Sequence, residues 1–244
     1  MNILNYIENL ENPIIFDRDN KFLYFPINKN AQTSICRNIL KHRCILRKDS
    51  LDKWIGYQKN LTEESIHEYF KFGVIRNPYD RFVSAYFYLL QNNKLPKHDS
   101  IDSFIKNYFP LGDFYNVHFQ KQKPQLYYND KLIVDYLARL ETIDMDWEII
   151  SQKIDYPSNM VWKNKSNHKN YADELSIEHR EIIYNYYNEF LSLLTKSYIY
   201  YLRTNKKINY NYKNNLNNIC KKPLSYHKYK EMKLNYKLDK IKNK

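Results

Sequence analysis

Two stretches of this chain carry residues able to grip anions. In residues 21–40, KFLYFPINKNAQTSICRNIL, an apolar run ends in a short polar loop. The loop holds Lys29, four residues ahead of Thr33-Ser34, and a helix-like stretch follows. A helix start offers unpaired N–H groups and a partial positive charge, a lysine adds a mobile full charge, and hydroxyls add short donors. Lys29, Asn30, Ala31, Gln32, Thr33 and Ser34 therefore read as one anion cradle. In FGVIRNPYDRFVSAY, residues 72–86, a strand delivers Arg76 at its C-terminal edge, and Ser84 lies about two turns into the next helix. A guanidinium fork and a hydroxyl so placed can meet one phosphate. Two anion sites one strand–helix unit apart predict a ligand with two separated phosphates. Each segment also has a plainer reading: a surface lysine before a helix cap, an Arg76–Asp80 ion pair, and a small Ser84 that eases helix packing. Neither segment is a Walker A loop. GxxxxGK[ST] is absent and no glycine precedes Gly56, which disfavours ATP or GTP as ligand.

The elements that position these residues follow from periodicity and punctuation. Residues 1–11 read as a short helix or arm. Ile14–Phe16 and Phe22–Ile27 read as strands joined by a turn at Asp17–Asn20. Thr33–Lys41 reads as a helix, with Ile35, Ile39 and Leu40 at helical spacing. Residues 42–65 are irregular, with Trp54 packed on the body. Phe70–Ile75 reads as a buried strand. Asn77 then caps a helix with Pro78 at its first position and Asp80 in its first turn, running through Phe87–Leu90. Ser103–Phe109 reads as a short helix, 110–130 as a long loop, and Leu132–Leu137 as a strand. Asp144–Ile154 reads as a helix capped by Asp144, and 157–172 as a polar loop. Ser176–Thr195 is the longest predicted helix, capped by Ser176 with Leu175 as its staple. Tyr198–Leu202 closes the body, and parts of 224–243 read as an exposed helix. Strands alternating with helices predict an α/β fold with a parallel sheet flanked by helices. In such sheets ligands sit beyond the strand C-termini, where both anion segments fall.

The chain has 244 residues, which fits one domain plus a tail: 1–202, then 203–244 as a basic Lys/Asn/Tyr-rich extension. The net charge of +12 sits almost wholly in that extension, where 13 Lys and Arg face only Glu231 and Asp239. The body is left with 26 basic against 25 acidic residues, so its charge does not make it a nucleic-acid binder. The tail is a candidate for anionic surfaces, whether membrane lipid, polysaccharide or nucleic acid, or else a solvated extension with no specific partner. The 25 Tyr and 3 Gly accompany abundant Asn and Lys and carry little functional weight. Cys36, Cys44 and Cys220 have no metal-ligand spacing, and no HExxH or paired CxxC exists, so no metal is expected. Sparse, odd cysteines point to reduced thiols in a cytosolic compartment. The N-terminal MNILNYIENLENPIIF lacks the pattern of a signal peptide, and no stretch approaches the roughly 20 apolar residues of a membrane helix.

The pair YFPINKNAQTSI and FGVIRNPYDRFVSAY resembles the carbohydrate sulfotransferases of the sulfotransferase-2 type, which include the chondroitin and dermatan 4-O-sulfotransferases. Their first motif is an aromatic-rich strand followed by P-K-x-(G/A/C)-x-T-S. Their second, F-x-R-(D/N)-P-(Y/F)-(D/E)-R-(L/F)-x-S-A-Y, is matched almost fully from Phe72 to Tyr86. Asn116-Val117-His118-Phe119-Gln120 resembles the family's N-x-H-W segment. Asp135-Tyr136-Leu137, Leu140-Glu141-Thr142 and Asp146 resemble its DF(I/V)G, ET and D positions. Trp162–Ser166, Tyr171 and the 176–198 helix resemble its N-x-S and closing helix. The resemblance spans residues 21–200. It departs at Asn28, where proline is usual, and at Gln32, where a small residue is common.

The resemblance implies a P-loop-like fold and 3′-phosphoadenosine-5′-phosphosulfate (PAPS) as sulfuryl donor, leaving as PAP. Lys29, Thr33 and Ser34 would hold the 5′-phosphosulfate, and Arg76 and Ser84 the 3′-phosphate. Lys29 would stabilise the leaving oxygen without a metal. His118 is the leading candidate for the base, with Glu63, Glu64 and His67 as rivals. Glu141 reads as a loop-holding residue. The implied acceptor is a carbohydrate hydroxyl; the N-terminus without a signal-peptide pattern departs from the family's Golgi enzymes and points to a cytoplasmic position, where the basic tail would sit at the inner face of a membrane and the acceptor could be a glycolipid. Two alternatives remain at this level: a P-loop-like nucleotide kinase, and a non-catalytic relative that binds polyanions.

Overall fold

Phe22–Phe25 (β2) is buried along its whole length, as expected of a parallel strand covered on both faces. The computed structural model describes residues 3–10, 12, 14–39, 62–109, 116–162 and 171–187. All of these lie in the first of two units into which the chain divides, Met1–Tyr200 and Tyr201–Lys244. A four-stranded sheet runs in the order β1 (Ile15–Asp17), β2, β3 (Phe70–Ile75), β6 (Tyr136–Arg139). β1 is antiparallel to β2, while β2, β3 and β6 are mutually parallel. The expected parallel α/β sheet flanked by helices is therefore the fold of the described residues.

The strand pleat sends alternate residues to two cores. Phe22, Tyr24, Phe72, Val74, Tyr136 and Ala138 pack with α2 (Gln32–Ile39) and α5 (Ile143–Ile154) through Ile35, Ile39, Trp147 and Ile150. Leu23, Phe25, Ile75 and Leu137 face the other way, against Ile7 of α1 (Ile3–Glu8), Ile66, Leu126 and Val134. Gly73 lies on this second face. A Cβ there would stand 2.5 Å from Leu126 Cδ2, so glycine leaves room for the Leu126 side chain to pack over β3. A third core joins α3 (Pro78–Gln91), α4 (Ile101–Tyr108) and α7 (Ile177–Tyr186) through Phe82, Leu89, Phe104, Phe119 and Ile183.

β3 and its helix match the sequence reading. Asn77 Oδ1 accepts from the Tyr79 N–H at 2.9 Å, with Pro78 at the first helical position. Ser176 caps α7, and His179 returns the contact in a capping box. Leu175 is buried in the same core as Ile183. α4 starts earlier than predicted because Ser100, not a later residue, accepts from the Ser103 N–H at 3.1 Å.

Two expectations are corrected. The strand predicted at Leu132–Leu137 is split. Lys131–Leu132 (β5) pairs with Tyr127–Tyr128 (β4) in a hairpin, and only Tyr136–Arg139 joins the main sheet. Asn129 and Asp130, at φ 48° and 56°, make the hairpin turn, a conformation these residue types tolerate. Asp135 separates the two pieces: its N–H donates to Lys71 O at 2.7 Å, and its carboxylate accepts from the Lys71 N–H at 2.8 Å. Asp144 does not cap α5. The cap position is Thr142, whose hydroxyl donates instead to Asp146 Oδ2 at 2.8 Å. α6 (Tyr171–Glu174) precedes α7. The expectations for Trp54, 188–195, Tyr198–Leu202 and 203–244 lie outside the described residues.

Candidate active site at the strand C-termini

The loops that leave β2, β3 and β6 meet at one edge of the sheet. The β2 loop ends at α2, whose first turn holds Gln32, Thr33 and Ser34, and Ile35 N–H donates to Ala31 O at 2.9 Å. The N–H groups of that first turn have no intrahelical acceptor. Lys29 and Ala31 sit at φ 69° and 59°. Phosphate loops place glycine at such positions, because a Cβ there costs about 1–2 kcal/mol. This loop holds the shape with side chains, so the surrounding structure must impose it.

The restraint is a set of amide side chains. Asn30, fully buried, donates to Val74 O and to Gln122 Oε1, each at 2.7 Å. Gln122 also accepts from the Arg76 N–H at 3.0 Å and donates to Arg76 O at 2.8 Å. One side chain therefore ties the Lys29 loop to the Arg76 segment. A second chain runs from Asn28 to Asn12 at 2.7 Å and from Asn12 to Gln120 at 3.1 Å. The usual proline at position 28 could not donate this bond, so the departure from the family pattern has a local use.

Arg76 turns its guanidinium onto the loop, donating from Nη1 to Lys29 O at 3.1 Å. Arg81, fully buried on α3, donates to Asn28 O at 3.0 Å and to Gln120 O at 2.6 Å, and its Nη2 has no hydrogen-bond partner. Lys29 Nζ stands 4.2 Å from the centre of the Tyr88 ring. The His118 ring lies 4.9 Å from that same ring. Asn116 Oδ1 accepts from the His118 backbone N–H at 3.0 Å and faces His118 Nδ1 at 2.6 Å. An amide oxygen only accepts, so Nδ1 carries the proton and Nε2 keeps its lone pair.

The electrostatics are those of a site short of negative charge. Burial, then Arg76 and Arg81, bring the Lys29 pKa down to about 8. Burial lowers Arg76, with Asp80 and Glu141 opposing it, and burial lowers Arg81. Burial, then Lys29, Arg81 and Lys94, bring His118 down to about 4, so its imidazole is neutral at pH 7. Glu141 accepts from the Asn77 N–H at 2.6 Å, and burial raises its pKa. It holds the turn into α3, the loop-holding part the sequence gives it.

The structure brings Lys29, Asn30, Ala31, Gln32, Thr33, Arg76 and His118 to this edge. Asn30 turns its side chain into the protein. Ser34 and Ser84 are buried, at 1% and 2% exposure. Ser84 shares one stripe of α3 with Arg81 and Tyr88, at i, i+3 and i+7. Glu63, Glu64 and His67 are not in the site: they precede the N-terminus of β3, and a six-residue strand at about 3.3 Å per residue separates them from Arg76. Sequence reasoning missed Arg81, Gln122 and Tyr88, with Arg81 entering only as part of the motif match. Helical spacing from Ser84 could have found Tyr88; nothing in the sequence distinguishes Gln122 from the other polar residues of its loop. Among the described residues, no group of three or more His, Cys, Asp or Glu is placed to hold a metal ion, and no helix is long and apolar enough to cross a membrane. Compared with known proteins, residues 2–195 match the sulfotransferase family. No curated protein and no solved structure matches the chain.

Proposed function

The chain belongs to the sulfotransferase family, and we propose that it transfers a sulfuryl group from PAPS to a hydroxyl of a carbohydrate or glycolipid acceptor. The observation that carries this reading is the meeting of Lys29 and Arg76, with Arg76 Nη1 3.1 Å from Lys29 O at the ends of adjacent parallel strands. With Arg81, three cations crowd one edge, and burial disfavours the charge on each. A polyanionic ligand offsets that cost for all three. In this proposal Lys29, Thr33 and the α2 N–H groups would hold the phosphosulfate of PAPS and Arg76 the 3′-phosphate, while Ser34 and Ser84, buried at 1% and 2% exposure, stand behind that surface in the free protein.

PAPS, when bound, supplies the sulfuryl group and a leaving phosphate on which negative charge grows. Lys29 and the first-turn N–H groups stabilise that charge from fixed positions. His118 takes the proton of the acceptor hydroxyl at Nε2 while Asn116 holds Nδ1–H. Burial depresses His118 most, and Lys29, Arg81 and Lys94 add to it; an anion offsets the part due to those charges, so donor binding raises His118 by that part alone. The polybasic 203–244 segment, net +11, holds the protein at the inner, anionic face of a membrane. Unchanged liposome sedimentation after its removal would refute that part.

A thermal-shift comparison tests the reading. PAP at 100 times its Kd is expected to stabilise the protein by about 2.7 kcal/mol, with ATP giving less. A preference for ATP would point to a nucleotide kinase, and no response to either to a non-catalytic polyanion binder; both outcomes overturn the proposal.

A further inference from the structure

Tyr88 has no part in the motif reading, yet it is where the two reactive groups of the site meet. Lys29 Nζ stands 4.2 Å from the ring centre, and the His118 ring lies 4.9 Å away at an interplanar angle of 31°. The two groups come from different parts of the chain, the β2 loop and the 116–122 segment. No hydrogen bond between them fixes their spacing. The ring stands on α3, in the stripe that also carries Arg81 and Ser84, and α3 is anchored by Asn77, Pro78 and the aromatic core around Phe82. A rigid aromatic on a buried helix is a better spacer than either loop.

We propose that Tyr88 is a positioning residue for sulfuryl transfer: its ring docks the Lys29 ammonium when no anion is bound and sets the His118 plane beside it, so that cation and base wait on two sides of one anchored ring before the donor binds. The inference rests on the sulfotransfer reading for its purpose, though not for its geometry. The quadrupole of the ring attracts an ammonium only modestly, by about 0.5–2 kcal/mol. Docking is therefore reversible. Lys29 would be free to hold the phosphosulfate of PAPS instead of the ring, while the Tyr88–His118 ring contact does not depend on the lysine. Arg76 and Arg81 also face Lys29 and repel it, and Lys94 adds to the field at His118. The ring is the group that favours the charged lysine against them. The hydroxyl of Tyr88 has no role in this account, so phenylalanine should serve equally well.

The test compares the full chain with Tyr88→Phe and Tyr88→Leu. The first measurement needs no donor: NMR of 13C-labelled lysine, with Lys29→Arg to assign the Lys29 signal. The Lys29 midpoint near 8 is expected to hold in Tyr88→Phe and to fall by about half a pH unit in Tyr88→Leu, since loss of the ring removes the attraction to the charged form. The second is steady-state sulfuryl transfer. Tyr88→Leu should lose about tenfold or more in kcat with PAP affinity within about threefold of the parent, and Tyr88→Phe should restore kcat. Equal Lys29 midpoints in all three proteins overturn the proposal whatever the activity. So does a Tyr88→Leu enzyme with normal kcat, or a Tyr88→Phe enzyme as impaired as Tyr88→Leu. A midpoint that moves as expected in a parent protein that neither binds PAP nor transfers sulfuryl supports the ring contact and overturns the sulfotransfer reading instead.

Discussion

The Lys29 loop and the Arg76 turn make the same connection, from a parallel strand to a helix at one edge of one sheet, by opposite means. The Arg76 turn is locally encoded. Asn77 caps, Pro78 opens the helix, and the β3–α3 segment would adopt this shape with little help. The Lys29 loop is held from outside. Lys29 and Ala31 occupy left-handed conformations without glycine, and the loop is secured by Asn30 to Val74 and Gln122, by Arg76 to Lys29 O, and by Arg81 to Asn28 O. The half that follows local rules therefore acts as the template for the half that breaks them. On the proposed reading the chemistry belongs to the second half, because a side-chain-tied loop holds its backbone and N–H groups in place before any ligand arrives.

The largest effect that would break this contrast is chemical. Lys29→Ala should lower kcat by about 10²–10³ while the thermal unfolding profile stays near that of the parent. Normal turnover in that variant would remove the active role of the loop. Next comes the clamp between the halves. Gln122→Ala leaves the Arg76 N–H, the Arg76 carbonyl and one Asn30 bond without their partner, so a loss of about 2–3 kcal/mol is expected in denaturant unfolding, with weaker PAP binding. If PAP affinity survives that loss of stability, the two halves are not coupled through Gln122.

pH sharpens the comparison because Lys29, with its pKa brought down to about 8, belongs to the loop half. Lys29 loses its proton above about 8 in the free protein. Calorimetry should show PAP affinity falling as pH rises from 8 to 10, with proton uptake on binding in that window. The unfolded chain binds this proton up to the ordinary lysine range, so from Lys29 alone the free protein gains stability over the same interval. Affinity and stability moving together would contradict the depressed lysine. Smaller effects separate the two connections. Asn77→Ala should cost about 1 kcal/mol through the lost cap. Ala31→Gly should stabilise by about 0.5–1 kcal/mol, because it releases the left-handed strain, where glycine in a relaxed turn would destabilise.

Much of this was legible in the residues. Phe70–Ile75 followed by Asn77-Pro78 is a strand and a capped helix on local grounds, and the observed bounds agree. Lys29 and Arg76 were identifiable as anion-binding types at strand ends. The hairpin at 127–132 was not, because its turn depends on Asn129 and Asp130 adopting positive φ inside a stretch that reads simply as polar loop. The misplacement of Glu63, Glu64 and His67 among the candidate bases has a similar origin, since closeness to a strand in sequence does not say which end of it a residue occupies.

The sequence by itself determined the strand at Phe70–Ile75, the cap that launches α3, and the two cationic segments, because each depends on groups a few residues apart. Only the tertiary structure decided that the segments touch, that Gln122 clamps them, that His118 is neutral beside Lys29, and that Tyr88 stands between. Those outcomes depend on burial and on contacts across 30 or more residues, and the low dielectric and lost solvent that shift charges and fix buried amides exist only once the sheet and its helices have closed around them.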